Sequence, residues 1–301
     1  MTPIDLTPFC ARRATGRVFS GFMETRFEGP AAPDPAPDGA PDPPRDPLRM
    51  RTFWALVALA FVADLATLPY IDSIRRALPN GHALPEIGWR VALFTAAFDT
   101  LIVALPIAWF GLALLPKTGL PGAPQLRALF AREPASLRAV ARGFVQGTAI
   151  GVAVALTMAG LEAVGPEIKA IVEVDAPSWW RGLLASFGAG VREEIWFRLG
   201  VMTIVLRALV EIGKRDAPAT WMFWTANAIA AVLFGAIHLP QAKMLVEVTP
   251  AVVAMVVGGN AVAGLGFGWV YRRSGIEAAM AAHMATDVVL HVVVPAVAPG
   301  P

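Results

Sequence analysis

Cysteine is almost missing from this chain of 301 residues; its one copy is Cys10. Without a second thiol there is no disulfide framework and no Cys-based metal site, so a structural zinc knuckle is excluded. Charge is scarce too. Ionisable Asp, Glu, Lys and Arg make up 16% of the residues and hydrophobic residues 56%, whereas soluble domains carry about 25% charged and at most half apolar residues. With a mean hydropathy of +0.57, the composition is that of an integral membrane protein. Dense Lys/Arg runs with interleaved aromatics are absent, and a formal charge of +2 is ordinary for basic loops, so nucleic acid is set aside as a partner. Residues 1–50 also lack an apolar stretch of about 7–15 residues ending in a small-residue cleavage site, so the first spanning helix is expected to start insertion.

What is present is a set of long apolar runs. They fall at about 52–70, 91–115, 143–164, 182–207, 221–240, 250–270 and 276–295, each near the length that crosses about 30 Å of hydrocarbon. The expected fold is an all-α polytopic membrane bundle of about seven helices over residues 51–296. Residues 1–50 form a tail whose Pro/Ala/Asp run, Gly29 to Pro44, can neither build a helix ladder nor bury a core, and it is expected to be disordered. Gly143, Gly147 and Gly151 space small residues so that another helix can pack closely. Thirteen Lys and Arg flank one set of loop ends and six the other, which points to a multi-pass cell-membrane protein with its N-terminus in the cytoplasm.

Against this background Glu193, Glu194 and Arg198 stand out in the middle of the fourth run. An ionised side chain at the centre of a spanning helix costs about 2.5–3.5 kcal/mol on insertion scales, so such residues are functional candidates by default. Glu194 and Arg198 at i, i+4 form a natural ion pair, while Glu193 is rotated by about 100° and free to face elsewhere. The four histidines are His82 in the first outer loop, His238 in the fifth run, and His283 and His291 in the seventh. Phe234 and His238 share a face, with Asn227 returning to nearly the same side. His283 and Asp287 share another, which His291 continues by one turn. The division suggested is Glu193 as general base in a cavity and Arg198 neutralising and placing Glu194.

Read in order, Glu193-Glu194-x-x-x-Arg198, Phe234-x-x-x-His238 and His283-x-x-x-Asp287 resemble the three motifs of the CAAX-protease and bacteriocin-processing (CPBP) family of intramembrane endopeptidases. The resemblance covers residues 180–295. It implies that Glu193 with His238 activates a water for attack on a peptide carbonyl, and that His283 and the residue at 287 stabilise the oxyanion. The substrate implied is a membrane peptide or lipidated protein, met among membrane lipids.

Position 287 departs from the prenyl endopeptidases of that family, which resemble one another in using Asn there. An ionised Asp can only accept. Asp287 therefore either carries a proton, holds a histidine in its productive tautomer, or ligates a metal. No His-Glu-x-x-His helix is present, yet Glu193, His238, His283 and Asp287 could supply a zinc site. The resemblance to the prenyl endopeptidases favours a glutamate-activated water with no obligatory metal. Two other functions use similar residues: a non-catalytic relative giving bacteriocin immunity or acting as a scaffold, and a proton-coupled transporter, although no inverted repeat is evident between the halves.

Overall fold

A computed structural model describes residues 46–77, 85–162 and 178–297. The tail with Cys10, and His82, lie outside the described residues. The remainder is helical: α1 (Pro47–Ala77), α2 (Trp89–Leu114), α3 (Pro124–Ala131), α4 (Leu137–Glu162), α5 (179–212), α6 (Thr220–Ala236), α7 (Leu239–Leu245), α8 (Pro250–Ser274) and α9 (Ile276–Ala296). Local chemistry sets several starts. The Asp46 carboxylate accepts the Leu48 N–H at 3.0 Å, and the Thr249 hydroxyl accepts the Val252 N–H at 3.3 Å with Pro250 in the first turn.

Among the described residues six helices are long and apolar enough to cross a membrane: Pro47–Arg76, Trp89–Leu114, Leu137–Thr157, Thr220–Met244, Pro250–Ser274 and Ile276–Ala296. The expected fourth run is not one of them, because Arg192, Glu193, Glu194 and Arg198 interrupt its apolar sequence. Helix α5 nevertheless runs from one end of the bundle to the other. Near its start Gly182 lies against the His291 carbonyl, and Tyr70 late in α1 meets the His291 ring at 5.9 Å. Near its end Glu211 pairs with Lys117 at 3.6 Å, and Arg207 donates to the Pro116 carbonyl. That second end also holds the Asp46–Arg127 pair, 2.8 Å apart, and the Ile276 N–H donating to the Gly122 carbonyl at 2.9 Å. Among the described residues the bundle thus holds six helices apolar enough to span and one charged helix, α5, that runs its length.

Packing explains how such a helix is tolerated. Helix α5 is packed against α1, α2, α6 and α9, so Glu193, Glu194 and Arg198 are buried within the protein, whereas large apolar side chains such as Phe94, Phe98 and Leu101 of α2 point outward. Helix α4 lies along α9, and its three glycines make that approach possible. A methyl at Gly143 or Gly147 would overlap the backbone carbonyls of Ala278 or Ala282, and Gly151 sits beside Thr286. Thr286 seals the contact by donating to the Gly147 carbonyl at 2.9 Å.

Among the described residues three helices contain a widened π turn: Thr100–Ala104, Ile195–Met202 and Val289–Val293. The first and last lie just before Pro106 and Pro295, whose missing N–H and ring disfavour the ordinary i→i−4 bond. Within Ile195–Met202 there is no proline. This turn begins immediately after Glu194, and π turns of this unprompted kind concentrate at functional sites.

Candidate active site

The two glutamates of α5 face different surroundings. Glu194 and Arg198 are fully buried, with Arg198 Nε 3.2 Å from Glu194 Oε2 as an ion pair rather than an aligned hydrogen bond. The guanidinium donates from Nη2 to the Gly264 carbonyl at 2.9 Å and lies 5.0 Å from the Phe234 ring centre and 5.5 Å from that of Phe267. Cation–π attraction and a backbone acceptor thus replace the water this charge has lost. The other Glu194 oxygen, Oε1, accepts from His283 Nδ1 at 2.9 Å. Arg198 therefore fixes Glu194, and Glu194 fixes the His283 ring, which stacks flat on Phe267 at 4.7 Å and 16°.

Glu193 is buried and faces the two histidines. Its Oε2 is 3.9 Å from His238 Nε2 and 3.9 Å from His283 Nε2, and it has no direct hydrogen-bond partner. These separations exceed a hydrogen bond and lie in the range a water bridges. The other oxygen, Oε1, is 3.3 Å from Arg192 Nη2.

His238 sits just past the last residue of α6, in the turn before α7, which accounts for its place towards the end of the fifth apolar run. Its Nδ1 is 2.8 Å from the Phe234 carbonyl. A carbonyl only accepts, so Nδ1 carries the proton and Nε2 is turned towards Glu193. The Phe234 ring touches His238 edge-on at 5.0 Å and His283 at 5.4 Å, holding the two imidazoles apart around one centre.

On α9, Asp287 Oδ2 is 3.6 Å from His283 Nε2. Three carboxylates therefore surround this ring: Glu194 at one nitrogen, Glu193 and Asp287 at the other. Of the roles open to Asp287, the geometry gives it contact with a histidine. Among the described residues no group of three His, Cys, Asp or Glu is arranged to hold a metal ion. Glu193, His238, His283 and Asp287, which were considered for a zinc site, do not form such a group.

All six candidates, Glu193, Glu194, Arg198, His238, His283 and Asp287, are thus brought together. Two polar residues on the same sequence faces are not. Asn227 is buried as a latch, its amide donating to the Leu265 carbonyl at 3.0 Å and its oxygen filling the space over Gly268. His291 stands in the π turn after Asp287, where the added residue per turn carries it off the stripe to Tyr70.

Sequence reasoning overlooked a second polar group beside the site. Arg192 Nη1 lies 3.4 Å from Asp64 Oδ1 of α1, and Thr100 of α2 donates to Asp64 Oδ2 at 3.3 Å. Asp99 of α2 is the second carboxyl beside Asp64, and its Oδ2 is buried. A signal was available, since Asp64 and Asp99 are carboxylates inside the first two apolar runs.

Residues 175–289 match the family model described as type II CAAX prenyl endopeptidase Rce1-like. The matched stretch holds α5 to α8 and the site-bearing part of α9. No curated protein and no solved structure matches the chain.

Proposed function

We infer, for a chain that belongs through residues 175–289 to the CAAX protease family of membrane proteases, that it is an endopeptidase using a glutamate-activated water. Its substrate is a membrane-associated or lipidated peptide. The observation that carries this reading is Glu193 Oε2, free of direct partners and equidistant from the Nε2 atoms of His238 and His283.

A water held between Glu193 Oε2 and His238 Nε2 gives a proton to Glu193 as its oxygen attacks the peptide carbonyl. Positioned general bases of this kind contribute roughly 10²–10⁴-fold. The carbonyl oxygen becomes an oxyanion, and His283, as an imidazolium with one proton on Nδ1 for Glu194 and the other on Nε2, is the donor nearest the attack site. A single well-aimed donor is worth about 10²–10³ in rate where water is excluded. Asp287 keeps that ring aligned from the same side, so its role is that of partner to His283. Collapse of the intermediate breaks the C–N bond, and the proton on Glu193 passes to the leaving amine. Glu194 and Arg198 take no part in proton transfer; they hold His283 in register. The basic end of the bundle, with Asp46 and the 115–132 connection, is proposed to face the cytoplasm.

The test is cleavage of a farnesylated CAAX peptide by the protein in liposomes. Glu193→Gln, His238→Ala and His283→Ala should each abolish cleavage while the protein stays folded by thermal denaturation. Undiminished cleavage by Glu193→Gln would sink the reading.

A further inference from the structure

Helix α1 lies outside the matched residues, yet it reaches the reacting carboxylate. Contact is made possible at Gly188, one turn before Arg192: a methyl there would overlap the Thr67 hydroxyl and come within 2.6 Å of the Ala63 carbonyl. Ala63 and Thr67 flank Asp64, so this close approach is what brings the Asp64 carboxylate to Arg192. The Arg192 guanidinium is then held on three sides. Asp64 lies 3.4 Å from Nη1, Glu193 3.3 Å from Nη2, and the Trp196 ring 5.2 Å from its central carbon. Asp64 is itself buried and tied to the Thr100 hydroxyl.

We propose that Arg192 and Asp64 are positioning residues for Glu193, binding Glu193 Oε1 so that Oε2 is the oxygen presented to the two histidines. The inference rests on the reading of Glu193 as the base. A carboxylate has two equivalent oxygens on a rotatable stem, and an unanchored Glu193 would turn to pair with the imidazoles directly. Because Arg192 divides its two arms between Asp64 and Glu193, Asp64 also limits how much of the positive field Glu193 feels. The first helix therefore tunes a centre whose motifs all lie in the back half of the chain.

The test reads Glu193 without a substrate. Dicyclohexylcarbodiimide, a lipid-soluble reagent that adds to protonated carboxyls, is applied over a pH series to the full chain in liposomes, and labelling at Glu193 is read by mass spectrometry. A charged neighbour within about 4–6 Å moves such an equilibrium by about one pH unit or more. Arg192→Gln should move the labelling midpoint to higher pH by about that much, and Arg192→Lys should bring it back. Asp64→Asn frees the guanidinium for Glu193 and should move the midpoint the other way. The other charged or titratable groups around Glu193 and Arg192 are Glu194 and Arg198 on α5, Asp99 on α2, His238 after α6, and His283 and Asp287 on α9; they are unchanged throughout. A midpoint that stays fixed in all four chains, shifts of the same sign in Arg192→Gln and Asp64→Asn, or no labelling of Glu193 at any pH overturns the proposal. In parallel, Asp64→Asn should lower kcat for the farnesylated peptide with KM unchanged. Cleavage surviving in Glu193→Gln would instead refute the functional reading, and the labelling shifts would still report the coupling.

Discussion

Glu193 and Glu194 are neighbours in sequence and opposites in setting. Glu194 is sealed with Arg198 behind Phe234, Phe267 and Gly264, every charge answered by an ion, a ring or a backbone carbonyl. Glu193 has Arg192 at one oxygen and open geometry at the other, next to His238, whose side chain is 27% exposed. On the proposed mechanism one helix separates holding from reacting: the rear pair cannot give up a contact without stranding a charge, and the front carboxylate keeps one oxygen for the water.

Separating these roles experimentally begins with the rear pair. Arg198→Ala leaves Glu194 charged in the core with His283 alone to answer it, and removal of one partner of a buried pair costs about 3–5 kcal/mol. A large fall in thermal midpoint and in yield is expected, with loss of cleavage following from misfolding. If the midpoint barely moves, the rear pair is not structural. Glu193→Gln gives the opposite profile: cleavage drops by about 10²–10⁴-fold with the thermal midpoint nearly unchanged.

Smaller effects probe what supports the two halves. Gly147→Val pushes α4 off the Ala282 backbone, one residue from His283, and overpacking of this type costs about 1–3 kcal/mol. Both the denaturation midpoint and kcat should fall, since the ring and the packing share a helix. Asp287→Asn keeps size and an acceptor for His283, so cleavage should change by no more than about tenfold, the equivalent of about 1.4 kcal/mol; complete loss would show that the negative charge itself is required.

The smallest effect lies at the end of the bundle. Arg127, hydrogen-bonded to Asp46, holds that carboxyl below its ordinary range. A depressed folded value means the contribution is present above the unfolded value near 3.8 and is lost as pH falls through the lower folded one. The pair is exposed, so Asp46→Asn should cost less than about 1 kcal/mol at neutral pH and nothing in strong acid. A pH series of thermal midpoints checks this.

Much of this arrangement was legible beforehand because it is local. The apolar runs marked the helices, and the i, i+4 spacings put Phe234 beside His238 and His283 beside Asp287, as found. The same spacing misled at His291, where the π turn alters the residues per turn, and at Asn227, whose amide is consumed by the Leu265 carbonyl of another helix.

Sequence alone determined a polytopic all-α membrane protein and the residue types of its candidate site, since hydrophobic length and helical period are properties of single segments. Tertiary structure decided which glutamate oxygen meets which histidine nitrogen, and that α1 contributes Asp64. Those outcomes depend on how closely helices approach at Gly147 and Gly188 and on the widened turn after Glu194. No periodicity along one segment specifies the distance to the next.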